Sequence, residues 1–349
     1  MASDTGIIAY NKEPRFQTVI GLEVHAQLDI PRKLFSSAPA VAALHSAPNT
    51  LIRPFDLAVP GVLPMTSQAA VQACVLTAAA LQCEIAPVSR FERKHYHYAD
   101  LPFGYQVTQQ RWPMARNGVI QSSQPLKTKK KKQPATEFPP VVRIDRIQLE
   151  QDTGKTTTST RKSPDGTTTT THSLVDFNRA GCALMEIVMH PDIRSSQHAA
   201  ATVETLRQLL QHIGTCNGRM EEGSLRVDLN VSIHPLDGNA EFQSNLKNRV
   251  EVKNLNSLRQ VQQAADYEVL RQAKIVAGDD ENHDSTTTTP KTFQETRTFH
   301  VKSGKTVLIR SKEGDEDYRF MPEPDIPPVV IDKVRTVRIV CLFVGWESE

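Results

Sequence analysis

Carboxylates and one imidazole recur in short segments of this chain where polar and apolar residues alternate: Glu23 with His25, Glu150 with Asp152, and Asp228. Glu186 differs, because Leu184, Met185, Ile187 and Val188 around it are all apolar. An ionised glutamate in such a run is expensive unless it is paired or holds a cation. Oxygen ligands with one imidazole suit Mg²⁺, which keeps several waters and bridges to nucleotide phosphates. For Glu23 or Glu150 alone, a solvent-facing strand residue is the simpler reading. Glu186 tips the balance.

Basic residues fall on the same kind of surface: Arg226, Lys253, Arg310, Lys312 and Arg319. Arginine forks match phosphate oxygens two at a time, and lysine supplies a point charge. Metal-binding carboxylates beside phosphate-binding cations make the minimum kit for phosphoryl transfer. Neither GxxxxGK[ST] nor GxGxxG occurs, so a P-loop or a dinucleotide fold is excluded. Pattern alone reaches no further than a magnesium-dependent nucleotide enzyme.

Strands must carry these groups, because side chains alternate between faces with period two. Leu22, Val24, Ala26 and Leu28 share one face of a strand over residues 19–28, and Glu23, His25 and Gln27 share the other. Leu225, Val227, Leu229, Val231 and Ile233 alternate likewise with Arg226, Asp228, Asn230 and Ser232. Val250 and Val252 alternate with Glu251 and Lys253, and Ile147 and Leu149 with Gln148, Glu150 and Asp152. Three helices are predicted. One runs over residues 67–83. A second, capped by Ser196, places Val203, Leu206, Leu210 and Ile213 on a stripe and stops at Gly214. A third, capped by Asn256, turns Val261, Ala265, Val269, Ala273 and Val276 inward and stops at Gly278. Half-buried strands of this kind imply an antiparallel sheet with one polar face, hence an α+β fold.

The 349 residues suffice for one large core or two modest ones. A net charge of +2 demands no polyanionic partner, so any nucleic-acid contact must come from local patches. No apolar run approaches the ~20 residues of a membrane span. The five cysteines form no CxxC pair, which argues against a zinc ribbon and for a reducing compartment. The N-terminal residues show neither a secretory h-region nor the acid-poor composition of a transit peptide. Residues 126–140, 156–171 and 278–290 are Lys-, Thr- or acid-rich and read as mobile inserts. The lysine run at 127–132 reads as a solvated loop rather than an RNA contact.

Longer blocks carry more information than phase. VIGLEVHAQL (19–28), RIQLEQDTGK (146–155), SLVDFNRAGCALMEIV (173–188), MEEGSLRVDLNVS (220–232), EVKNLNS (251–257), QETR (294–297) and RSKEGDEDYRFMPEPDIPP (310–328) resemble, in order, the signature blocks of the GatB family. That family comprises the GatB-type subunits of the aspartyl/glutamyl-tRNA(Asn/Gln) amidotransferases. The resemblance implies a curved, mainly antiparallel sheet with flanking helices, a cradle like that of glutamine synthetase. It implies a ligase that uses ATP and Mg²⁺ to phosphorylate the glutamate side chain of mischarged Glu-tRNA(Gln). Ammonia, released from glutamine by a separate amidase subunit, then displaces the phosphate, and a small third subunit completes the complex. Metal ligands carried over by motif are Glu23, His25, Glu150 and Glu186, with Glu150 and Glu186 also catalytic. Arg226, Lys253, Arg310 and Arg319 would bind the nucleotide, and Lys94 would line the ammonia path.

The chain departs from the family pattern at several points. Zinc-bearing members have two cysteine pairs where this chain has Ser36, Ala38, Arg53 and Asp56, so no zinc is expected. Phe103 replaces a lysine of the ammonia path, and Gln148 and Gln151 replace a histidine and a glutamate beside Glu150. Cys182, although near Glu186, is expected to pack as a small apolar residue. By resemblance, residues 1–17 are an extension, 18–330 the cradle, and 331–349 an end without a family block. The family's helical and tRNA-gripping tail domains are therefore expected to be missing. Two readings stay open: an amidotransferase subunit with weak tRNA affinity, or a catalytically silent assembly partner of the amidase. Eukaryotic-looking inserts point to the mitochondrial matrix, with a bacterial-type cytoplasm as the alternative.

Overall fold

The computed structural model describes residues 7–10, 13–40, 46–122, 141–163, 169–236, 249–277, 294–311 and 319–332. The expected inserts at 126–140 and 278–290, together with Lys312, lie outside the described residues. The fold is α+β, built on one open, mainly antiparallel sheet.

The chain begins with β1 (Ile7–Tyr10) and the long β2 (Glu13–Gln27). Helix α1 (Gln68–Ala80) follows, then the short strands β3 (Glu84–Ile85), β4 (Val88–Ser89), β5 (Glu92–His95) and β6 (Tyr105–Thr108). Next come β7 (Ala115–Ile120), β8 (Val142–Gln151), β9 (Lys155–Lys162), β10 (Thr169–Asp176) and β11 (Ala183–Met189). Helix α2 (Ser196–His212) leads to β12 (Leu225–Pro235) and β13 (Arg249–Leu255). Helix α3 (Leu258–Ala277), β14 (Gln294–His300), β15 (Lys305–Ser311), β16 (Met321–Pro322) and β17 (Val329–Val330) complete it.

The main sheet runs β15-β14-β13-β12-β2-β11-β8-β7-β3, with β1 added to β2. Among the described strands only the β13–β14 pairing is parallel, and α3 lies in the crossover that a parallel pair requires. The N-terminal extension is thus partly built into the sheet: Ile8 and Phe16 are buried against its core. The helices share one face. α2 packs on α3, α3 on β12, β13 and β15, and α1 on β8, β7 and β3. Leu22, Val24, Ala26, Ile147, Leu149, Val227, Leu229, Val231, Val250 and Val252 are buried, as their phase predicts. The opposite face is left to the polar half of each alternation.

Helix caps shift by single residues, and α1 ends at Ala80 rather than at Cys83. The α2 cap is Ser195, whose Oγ accepts from the His198 amide at 3.2 Å, rather than Ser196. At α3 the Ser257 hydroxyl accepts from the Gln260 amide at 3.2 Å, rather than Asn256 capping. Adjacent hydroxyl and amide residues cap about equally well, so sequence alone does not choose between them. Gly214, with φ +69°, closes α2 where expected. The Thr-rich stretch at 156–171 differs from its reading as an insert without secondary structure. Its ends belong to the antiparallel pair β9–β10, in register from Lys155↔Asp176 to Lys162↔Thr169. β-Branched threonine favours extended backbone even where nothing covers it.

Candidate metal centre

Strand register brings the chemistry together. Glu186 on β11 lies opposite His25 on β2 and opposite Gln148 on β8, while Arg226 on β12 lies opposite His25 from the other side. Gln148, Glu186, His25 and Arg226 therefore form one row across four adjacent strands. Glu23 and Asp228 face each other in the next row.

Glu23, His25 and Glu186 each point one ligand atom into a common space, all within 4.8 Å of one another. His25 Nε2 lies 3.1 Å from Glu23 Oε1 and 3.8 Å from Asp228 Oδ2. An octahedral ion with bonds of about 2.1 Å would draw these atoms closer together. Hard oxygens with an imidazole fit Mg²⁺ or Mn²⁺.

The electrostatics describe a pocket of excess negative charge. Burial works against ionising Glu23, but the hydrogen bond and charge of His25 outweigh it and hold the carboxyl at about 2. Burial likewise disfavours the imidazolium, yet Glu23, Glu186 and Asp228 push His25 up to about 10. Glu186 is driven well above the carboxylate range by burial first, then by Glu150 and Glu23. A divalent cation bound here would satisfy the charge that otherwise favours the protonated forms of His25 and Glu186.

Glu150 stands beside this trio rather than in it. Its Oε1 accepts a 2.5 Å hydrogen bond from Gln106 Nε2, and its charge acts on Glu186. Lys94 on β5 is close enough to lower the carboxyls of both Glu23 and Glu186. Arg226 is held by Asp152, with Nη2 donating to Oδ2 at 3.1 Å. Lys253 bridges Asp228 at 3.4 Å and Glu251 at 3.1 Å, and these carboxylates raise its amine despite burial. Asp228 is fixed from β13 by the Asn254 amide at 2.8 Å, at a bulge where Asn254 has φ 59°. These two cations flank the trio, and Lys94 faces it.

Two predicted phosphate binders do not join them. Arg310 lies on β15, the edge strand, four pairings and hence about 19 Å from β2. Arg319 is exposed, and its carbonyl accepts from His95 Nδ1 at 2.8 Å. The residues that sequence reasoning missed are amides. Gln148 Nε2 donates to Glu186 Oε2 at 2.8 Å, and Gln106 does the same for Glu150. Gln148 was visible only as a polar-face residue that replaces a family histidine beside Glu150; Gln106 comes from a separate three-stranded sheet, β16-β5-β6.

Phe103 packs between Phe55 and Tyr105, with ring centroids 5.1 and 5.4 Å away, and lines an apolar pocket that reaches Gln151. Arg93 caps Tyr105 at 4.5 Å and clamps Glu323 through two hydrogen bonds of 2.7 and 2.9 Å, tying residues 321–326 to β5. Cys182 is buried, its thiol pushed up to about 12 by that burial, in keeping with packing rather than nucleophilic chemistry.

The positions of the family's zinc ligands are also close in space here, but the donors do not suit zinc. Ser36 Oγ donates to Asp56 Oδ1 at 2.9 Å, the Arg53 amide donates to Asp56 Oδ2 at 2.8 Å, and the Ala38 amide donates to Ser36 Oγ. Asp56 also pairs with Lys33 at 3.5 Å, both side chains being 1% exposed or less. Lys33 Nζ donates further to the Phe177 carbonyl at 3.2 Å. A methyl group, a guanidinium, a hydroxyl and an already paired carboxylate cannot make a tetrahedral thiolate or imidazole set.

Comparison with known proteins points to one family. The family model described as GatB/GatE catalytic domain matches residues 18–336. A zebrafish protein (Danio rerio), the mitochondrial GatB-type subunit of glutamyl-tRNA(Gln) amidotransferase, is 42% identical over 318 residues, 91% of this chain and 52% of the relative. The human protein of the same name (Homo sapiens) is 43% identical over 319 residues, again 91% and 52%. The corresponding subunit of a bacterial aspartyl/glutamyl-tRNA(Asn/Gln) amidotransferase, from Thermodesulfovibrio yellowstonii, is 42% identical over 319 residues, 91% of this chain and 59% of the relative. The chain thus spans about half the length of the curated relatives it matches. Ordered signature blocks, a sheet that gathers their carboxylates, and a family model over most of its length place the chain in the GatB/GatE catalytic domain family.

Proposed function

We propose that this chain carries the activating half of a tRNA-dependent amidotransferase, a ligase that uses glutamine as amide donor. The γ-phosphoryl group of ATP passes to the side-chain carboxylate of glutamate on Glu-tRNA(Gln), and ADP leaves. Ammonia then attacks the acyl phosphate carbon and phosphate departs, leaving glutamine on the tRNA. Activation is needed because a bare carboxylate offers an amine no viable leaving group. The supporting observation is the convergence of Glu23, His25 and Glu186 between Lys94, Arg226 and Lys253.

Glu23, His25 and Glu186 would hold Mg²⁺, with Glu150 beside them; bound there, the ion would neutralise charge on the transferring phosphates. Arg226 and Lys253 would then exchange part of their carboxylate pairing for phosphate oxygens. The polar face would act as a cradle of the glutamine synthetase kind. The aromatic wall at Phe103 would suit neutral ammonia, which crosses an apolar surface more readily than ammonium, and Lys94 would line its path. No zinc is required, since Asp56 and Lys33 occupy its place. The partners would be mischarged tRNA, an amidase subunit that releases the ammonia, and a small third subunit. The mitochondrial names of the vertebrate relatives favour the mitochondrial matrix over a bacterial-type cytoplasm.

The test is formation of Gln-tRNA(Gln) from Glu-tRNA(Gln), ATP and glutamine by the chain combined with its partners, beside a Glu186→Ala control. ATP-dependent turnover lost in the control supports the reading. Equal turnover in both would leave the silent assembly partner as the better account.

A further inference from the structure

Two buried amides are built alike around the carboxylates of the site. On β8, Arg146 Nε donates to Gln148 Oε1 at 3.0 Å, and Gln148 Nε2 donates to Glu186 Oε2 at 2.8 Å and to Thr108 Oγ1 at 3.1 Å. On β6, the Tyr96 hydroxyl donates to Gln106 Oε1 at 2.9 Å, and Gln106 Nε2 donates to Glu150 Oε1 at 2.5 Å and to the Gln151 carbonyl at 2.7 Å. Each amide is oriented by a partner that has one role: the Arg146 guanidinium only donates, so it marks the oxygen of Gln148, and the Gln151 carbonyl only accepts, so it marks the nitrogen of Gln106. The N–H₂ end is thereby committed to the carboxylate. Both glutamines are buried, at 1% and 5% exposure, so water does not substitute for them.

We propose that Gln148 and Gln106 are positioning residues that hold one oxygen of Glu186 and one of Glu150, reserving the second oxygen of Glu186 for a bound divalent cation and fixing Glu150 beside it. The choice of a neutral amide matters. A lysine or arginine in either place would cancel the charge that draws the cation, and a carboxylic acid would supply an acceptor where a donor is needed. An amide orients the carboxylate and leaves its charge in place. Orientation by such groups typically carries a tenfold to hundredfold share of metal affinity. Arg146 extends the arrangement outward, itself held by Asp145 at 2.6 Å.

This inference rests on the metal reading above, and the experiment separates the two. Mn²⁺ alone is titrated into the folded chain and free Mn²⁺ is followed by its EPR signal, for the parent, Gln148→Met, Gln106→Met, Gln148→His and Glu186→Ala. Methionine keeps the volume and removes the donor. Each methionine variant is expected to weaken Mn²⁺ binding roughly 10- to 100-fold and to broaden the bound-ion spectrum, with metal-free melting temperature little changed. Gln148→His, which restores an N–H donor, is expected to recover most of the affinity. Parent-like affinity in both methionine variants, with binding lost in Glu186→Ala, overturns the positioning role and leaves the metal reading standing. A methionine variant that melts lower but binds Mn²⁺ as the parent does also overturns it. Undiminished binding by Glu186→Ala overturns the metal reading, and the positioning role with it.

Discussion

Two buried charge clusters lie within this one domain, and they differ in whether their charges balance. Around Asp56, one ammonium, one hydroxyl and one backbone amide satisfy one carboxylate. Around Glu186, the carboxylates of Glu23, Glu150 and Asp228 crowd one imidazole, and the cluster keeps protons on Glu186 and His25 to compensate. The closed cluster joins three chain segments, residues 33–38, 53–56 and 177–181, and offers a ligand nothing. The open cluster joins strands that the core already holds together and has an unmet requirement for a cation. A buried charge group is a fastening when its pairing is complete and a binding site when it is not.

The largest effect is expected where pairing is complete. Asp56→Ala strands the Lys33 ammonium in an apolar setting and should cost about 3–5 kcal/mol, read as a lower midpoint in urea unfolding. Combining Lys33→Met with Asp56→Leu removes both charges and should lose less than Asp56→Ala alone, because it leaves neutral groups unsatisfied (the Ser36 and Arg53 donors and the Phe177 carbonyl) rather than a buried charge. A double variant as unstable as the single one would show that the segments depend on charge rather than on filled space.

Glu186→Ala should act in the opposite sense. Mn²⁺ affinity is expected to fall by about 100-fold, near 2.7 kcal/mol, while metal-free stability holds or rises because a desolvated and repelled carboxyl is gone. A drop in metal-free melting temperature comparable to that of Asp56→Ala would erase the distinction between the clusters.

Gly181 joins the two. It adopts φ +79°, its amide donates to the Asp152 carbonyl, and an added Cβ would meet Asp56 Oδ1 at 3.1 Å. Gly181→Ala should therefore cost about 1–2 kcal/mol through its left-handed backbone, and should disturb Asp56 and the start of β11 together. Denaturation and Mn²⁺ titration on the same sample would show whether both move.

The smallest effect concerns a second histidine. His198 in α2 is buried near Arg194, and burial followed by that cation pulls it down to about 4, the reverse of His25. Its folded form prefers to be neutral. Stability from this group is therefore present above about pH 6.5, the unfolded value, and is lost as pH falls toward 4. His198→Gln should flatten the stability profile in that window, and an unchanged slope would show that other groups dominate it.

The sheet and the face its carboxylates occupy were legible because strand phase is a local property. Glu23, His25 and Glu186 needed only alternation and an apolar context to be singled out. The partners of Glu150 were not legible, since Gln106 lies 44 residues away on a separate sheet and reaches across by tertiary packing alone. Arg310 had the right phase on its own strand but the wrong strand order, and order across a sheet is not written in alternation. The threonines of β9 and β10 misled in a different way. Their composition lacks a core-forming face, yet two such strands still pair in antiparallel register.

The position of β2 has a consequence for how the molecule comes into being. Its neighbours β11 and β12 are drawn from about 160 to 200 residues further along the chain, and every donor of the trio depends on those pairings. Folding that must close such long loops is slow, and a chain emerging from the ribosome exposes β2 long before either neighbour exists. Until β11 is made, then, the segment bearing Glu23 and His25 is a strand with one apolar face and both edges open. The metal-binding trio assembles only after about 160 further residues have followed that strand.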